Sequence, residues 1–166
     1  MKKIIFNSSL VLLLVGITSL VSAQNAKYSS SEANVSVTFP GTYETTEKVK
    51  EAYKSVMSQV IVDDILYYCS YTVHDNDLSG NEELAKISMN AFVEGMGADI
   101  EEEAEWKVGK NKGLQASLVV KDRELKGEYR VVIVGQIQYQ ITVVGAAASW
   151  DKKRAKKFLK SFKIKK

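Results

Sequence analysis

The sequence predicts an α+β domain, an antiparallel sheet with helices packed on it. Three observations carry that class. Apolar and polar residues alternate through Val35, Val37 and Phe39, through Ile65, Tyr67, Cys69, Tyr71 and Val73, and through Ile137, Tyr139, Ile141 and Val143, the period-two pattern of strands with one apolar face. The pairs Asp63-Asp64 and Gly135-Gln136 separate extended runs at hairpin spacing. Two stretches, one near 84–92 and one from about Trp150, repeat apolar residues at helical spacing instead.

Taken in order, residues 24–33 are small and polar and read as a short flexible lead. A strand follows, with Val35, Val37 and Phe39 on one face, and it ends at Pro40-Gly41, a strong turn signal. Stretches 43–49 and 53–62 are rich in Thr, Val and Tyr and read as strands. In 65–73 Cys69 lies on the more apolar face, while Leu66, Tyr68, Ser70, Thr72 and His74 share the other. Ser79 or Asn81 is placed to cap a helix, and Glu82 and Glu83 suit the positive end of its dipole. Leu84, Ile87, Ala91 and Phe92 form the helix's expected apolar stripe, with Gly95 and Gly97 ending it.

A meander then runs through 102–108, a turn at 109–113, 114–120, 128–134 and 137–144. In the last of these strands Gln138, Gln140 and Thr142 oppose the apolar set, which predicts a sheet covered on one side. A second helix begins near Trp150, with Ala155, Phe158, Leu159 and Phe162 as a stripe among lysines.

Residues 1–23 read as a signal peptide: Lys2 and Lys3, an apolar run from Leu10 to Val21, then Val21-Ser22-Ala23 as the cleavage site before Gln24. The run is broken by Thr18 and Ser19 and follows Asn7, Ser8 and Ser9, so it falls short of the ~17 apolar residues of a membrane span. The expected organisation is a signal peptide over 1–23, a lead over 24–33 and one α+β domain over 34–166, working in the periplasm or outside the cell. Basic residues outnumber acidic ones 23 to 20 over the chain, and loss of Lys2 and Lys3 nearly removes that surplus.

The charge is polarised. Glu94, Asp99, Glu101, Glu102, Glu103 and Glu105 form an acidic block with no intervening base, whereas residues 151–166 hold nine cations and Asp151 as their one acid. The Glu101, Glu102, Glu103 and Glu105 patch reads as an exposed acidic loop entering an edge strand. Lys152, Lys153, Arg154, Lys156 and Lys157 are the favoured contact residues.

Catalytic chemistry is thinly supplied. Cys69 and His74 are the single cysteine and single histidine, and their odd separation puts them on opposite faces of a regular strand. Asp75, Asp77, Ser79 and Gly80 match the first half of a calcium loop, but the twelfth position is Lys86, not glutamate. Zinc ligands of the usual type, phosphate-binding glycine loops and disulfide pairs have no residues to form them. No cofactor and no metal are expected.

An opening Val35-Ser36-Val37-Thr38-Phe39-Pro40-Gly41, the hairpin from Tyr129 to Gly145 about Gly135-Gln136, and the ending Lys157-Phe158-Leu159-Lys160-Ser161-Phe162 resemble small exported bacterial proteins with PsbP-like and DcrB-like domains. The resemblance implies an α/β/α sandwich, in a group whose better-known members bind other proteins rather than catalyse. The expectation is therefore an exported, non-catalytic domain contacting a protein or envelope component, or an anionic surface, and not nucleic acid. Two alternatives stand beside it: a small hydrolase or ligand-binding enzyme using Tyr67, Tyr71, His74 or Asp75 in a sheet-helix cleft, and peripheral membrane attachment through the basic helix.

Overall fold

The computed structural model describes residues 24–79 and 82–165. The expected signal peptide, and the Gly80 and Asn81 readings, lie outside the described residues.

Among the described residues, ten strands and two α-helices form two sheets with a helix on each side of the larger one. Strands β1 (Ala26–Ser30) and β2 (Val35–Phe39) pair antiparallel, as Tyr28 opposite Val37 shows. Residues 26–30 are therefore not the flexible lead expected from their composition. Their strand state comes from pairing with the apolar β2 rather than from alternation of their own. On the other side of β2 lies β10 (Lys163–Ile164), so the small sheet runs β1-β2-β10.

The large sheet has the order β3-β4-β5-β9-β8-β7-β6, all antiparallel. Its members are β3 (Glu44–Lys50), β4 (Tyr53–Val62), β5 (Ile65–His74), β6 (Asp99–Val108), β7 (Asn111–Val120), β8 (Leu125–Val134) and β9 (Ile137–Ala146). Tight turns join most neighbours. Asp63 and Asp64 both adopt positive φ, 52° and 60°, as a type I′ turn demands. Gly135 takes φ 60° at the first position of the β8–β9 turn, where a side chain would be strained. The expected five-residue loop at 109–113 is instead a two-residue turn, Gly109-Lys110, with β7 starting at Asn111. Gly113 is needed inside β7, since a Cβ there would stand 2.1 Å from the Val131 carbonyl oxygen.

Both faces of the large sheet are covered, which corrects the one-sided reading of β9. On one face Val56, Ile65, Tyr67, Cys69, Tyr71, Tyr139, Ile141 and Val143 pack against Val35, Val37 and Phe39 of the small sheet and against helix α2 (Lys152–Ser161). The Tyr139 hydroxyl donates to the Ala33 carbonyl at 2.7 Å, fastening the two sheets. On the other face helix α1 (Glu82–Met96) lies over β7 and β8, where Met89, Ala85, Ala116, Leu118, Tyr129 and Val131 are buried together. The Phe92 and Tyr129 rings stack at 4.4 Å. Thr142 and Gln138, expected to face water, are buried.

The buried stripe of α1 is Ala85, Met89 and Met96 with Phe92 and Val93 beside it. Leu84 is only half-buried and Ile87 is 48% exposed. The helix is thus rotated from its expected face: methionines fill the space above Tyr129 and Val144, which the aliphatic residues do not reach. Of the two glycines expected to end the helix, Gly97, at φ 63°, does so, donating its N–H to the Glu94 carbonyl at 3.0 Å, whereas Gly95 lies inside the last turn.

Candidate functional site

Helix α2 forms because Asp151 caps it and four apolar side chains fall on one side. The Asp151 carboxylate accepts from the Lys153 and Arg154 N–H groups at 2.9 and 3.0 Å. Those bonds, the Arg154 one foremost, hold its carboxyl below the usual aspartate range. Ala155, Phe158, Leu159 and Phe162 are buried, and the Phe158 ring sits 5.2 Å from both Phe39 and Tyr67. Lys152, Lys153, Lys156, Lys157 and Lys160 are left exposed on the outer side.

Four of the five expected contact residues thus share an open surface. Arg154 does not belong with them. Its guanidinium pairs with Asp63 in the β4–β5 turn and, through Nε at 3.4 Å, with Asp151. The Asp63 carboxylate raises its pKa. Among the described residues, Lys152, Lys153, Lys156 and Lys157 form no ion pair.

The acidic patch lies within β6 itself, the outermost strand, rather than in a loop leading to it. Its carboxylates do not converge. Glu102 stands opposite Ser117 and Glu103 opposite Ala116, so they project to opposite faces, with a register shift between Ile100 and Glu102. Glu103 pairs with Lys86 of α1. Glu105 pairs with Lys107 at 3.1 Å and Lys112 at 3.4 Å, and the Lys107 bond leads in holding its carboxyl low.

The four residues proposed for an enzymatic cleft are split. Tyr67 and Tyr71 belong to the core under α2 and the small sheet, whereas His74 points to the opposite face. The Tyr71 hydroxyl donates to Glu32 at 2.7 Å, and Lys54 donates to the same carboxylate at 3.1 Å. That pair of bonds, Tyr71 first, lowers the Glu32 pKa. Burial depresses the His74 pKa, with a weaker opposing bond from Gln138. Burial also pushes the Cys69 thiol up to about 12, far from a reactive thiolate. Asp77 accepts from the Ser79 N–H at 2.9 Å, the local turn that its calcium-loop spacing imitates. Among the described residues no group of three or more His, Cys, Asp or Glu is arranged to hold a metal ion, and no helix is long and apolar enough to cross a membrane.

A feature that sequence reasoning missed lies at the far end of α2. Trp106 of β6, Arg130 of β8 and Phe162 after α2 surround a cleft of about 390 Å³, rimmed by Lys107, Lys160 and Lys163. Arg130 stands one row along the sheet from Trp106, on the same face, with its guanidinium carbon 5.5 Å from the indole centroid. Phe162 packs 5.5 Å from that indole. The available sequence signal was Arg130 itself, a full charge inside the apolar run from Tyr129 to Val134.

No family model and no curated protein matches this chain. Among solved structures, the solution structure of cyanobacterial PsbP (CyanoP) from Synechocystis sp. PCC 6803 matches with a TM-score of 0.61, over 91% of this chain and 98% of that one, at 13% identity. Identity that low carries fold and not role. On that likeness, with helices on both faces of an antiparallel sheet, the chain has the PsbP-like α+β fold.

Proposed function

We propose that this chain is an exported, non-catalytic binding domain that contacts an acidic protein or envelope surface through the outer side of α2. One observation carries the reading: Lys152, Lys153, Lys156 and Lys157 stand exposed on one rigid helix whose apolar side is buried. Such a surface attracts an acidic partner over roughly a Debye length, about 8 Å at physiological salt. Insertion of α2 into lipid is disfavoured because Phe158, Leu159 and Phe162 already fill the core. Hydrolysis is disfavoured because Tyr67 and Tyr71 are separated from His74 by the sheet.

The test is a pull-down from envelope extract with the purified protein and with a variant carrying Glu at positions 152, 153, 156 and 157. Arg154 is kept, since its pairing with Asp63 anchors the helix. A partner captured at low salt, released by added salt and lost by the folded variant is the expected result. Undiminished capture by that variant overturns the reading. Sequencing of the exported product checks the compartment, with Gln24 expected as its first residue.

A further inference from the structure

The cleft between Trp106, Arg130 and Phe162 has the composition of a ligand site. Its lining includes four cations, Lys107, Arg130, Lys160 and Lys163, and no carboxylate. Its remaining lining is apolar: Val108 and Ile164 are partly exposed, and Trp106, Leu159 and Phe162 show only their edges. The volume, about 390 Å³, lies in the range of small-molecule pockets.

Arg130 is the unusual member. Its side chain is only 15% exposed, and its Nε is buried without a hydrogen-bond partner. The nearest carboxylate oxygen, from Glu128, stands 3.7 Å from the other end of the guanidinium, beyond hydrogen-bond reach. Glu128 offsets the charge at one end of the guanidinium, but the buried Nε still lacks an acceptor, and an arriving anion supplies one through a charge-assisted bond. Lys107 is partly neutralised by Glu105 at 3.1 Å, which leaves Lys160 and Lys163 as the free rim charges. The residues are set rigidly: Trp106 and Arg130 on adjoining rows of the large sheet, Phe162 at the end of a packed helix, and Lys163 in β10 paired with β2.

We infer that this cleft binds a small organic anion, a carboxylate or phosphate carried on an aromatic or apolar body. The acidic head meets Arg130, Lys160 and Lys163, and the body lies against Val108, Ile164 and the exposed edges of Trp106 and Phe162. The site uses none of the α2 residues assigned to the acidic partner, so either reading can fail alone.

Phenyl phosphate, benzoate and inorganic phosphate are the probes, each titrated into the full chain in buffer of matched ionic strength. Binding is followed through the Arg130 Nε–H resonance and tryptophan emission. Phenyl phosphate and benzoate are expected to shift the Arg130 resonance, with phenyl phosphate about tenfold tighter than inorganic phosphate because of the ring contact. Arg130→Gln is expected to weaken phenyl phosphate by roughly 10- to 100-fold. Lys163→Gln, at an exposed rim position that cannot unfold the domain, is expected to weaken it about threefold. Absence of any shift with all three probes overturns the inference, as does equal binding of phenyl and inorganic phosphate, or undiminished binding by both variants.

Discussion

Phe158→Ala tests whether α2 is a structural part of the domain or an appendage laid on it. Phe158 is 3% exposed, wedged between Phe39 of the small sheet and Tyr67 of the large one, each ring centroid 5.2 Å away. Truncation removes a large buried side chain and leaves a cavity that three layers would have to collapse together to fill. Substitutions of this kind cost about 3–5 kcal/mol, and the loss of two aromatic pairs places this one at about 4 kcal/mol. Against a total stability of about 5–15 kcal/mol the variant still folds, with a urea midpoint lower by about 2 M if m is about 2 kcal/mol/M. Urea unfolding followed by tryptophan emission measures the shift, since Trp106 and Trp150 both adjoin the α2 core. The neighbouring Lys157→Ala, on the exposed side, is expected to change stability by less than about 0.5 kcal/mol. A loss below about 1.5 kcal/mol for Phe158→Ala, at unchanged m, would refute the assignment of α2 to the common core.

Three further outcomes rest on Cys69 and Asp64. Cys69 is buried and its thiol is pushed up to about 12, so a thiol reagent at pH 8 is expected to react with the native chain only as fast as it unfolds, and at once in denaturant. Because the unfolded thiol ionises near 9.0 and the native one does not, stability holds below that pH and declines as pH rises from there; Cys69→Ala is expected to remove the part of the decline between about pH 9 and 10, above which the buried tyrosines Tyr28, Tyr68 and Tyr139, likewise raised, add their own. Asp64→Gly, at φ 60° in the β4–β5 turn, is expected to stabilise the domain by about 0.5–1 kcal/mol, read as a rise of about 1–4 °C in Tm.

Strands and turns were legible where each residue's role is local. The alternation in 65–73 fixes which side chains of β5 enter the core, and Asp63-Asp64 fixes its register with β4, so β4 and β5 emerge within a residue of expectation. Helix α2 was equally legible, because lysine and apolar residues divide its two sides without ambiguity. Helix α1 was not. Its sequence offers two stripes of similar apolarity, and the choice between Ile87 and Met89 depends on Tyr129 and Val131, which arrive from a distant strand. The strand β1 was missed for a related reason: Lys27, Ser29 and Ser30 carry no strand preference, and β2 imposes the conformation on them. Of the candidate sites, the lysines of α2 could be read off one helix, apart from Arg154, whose partner Asp63 no spacing rule connects to it. The cleft draws Trp106, Arg130 and Phe162 from three separate elements, so only folding brings them together.

The pairing of β2 with β10 has a consequence for the order of events in making this protein. Within the large sheet, β3 to β5 and β6 to β9 are meanders of near neighbours that can form as they are synthesised. The small sheet cannot. β2 is among the earliest strands in the chain, yet Val35 and Ser36 find their second set of partners only in Ile164 and Lys163, and Phe39 is covered by Phe158 of the helix just before them. Until those residues emerge, an apolar strand and one face of the large sheet stay open to water, and the domain is held short of its native state. A chain whose core is closed by residues 158–164 completes its native packing only when nearly all of it has been synthesised.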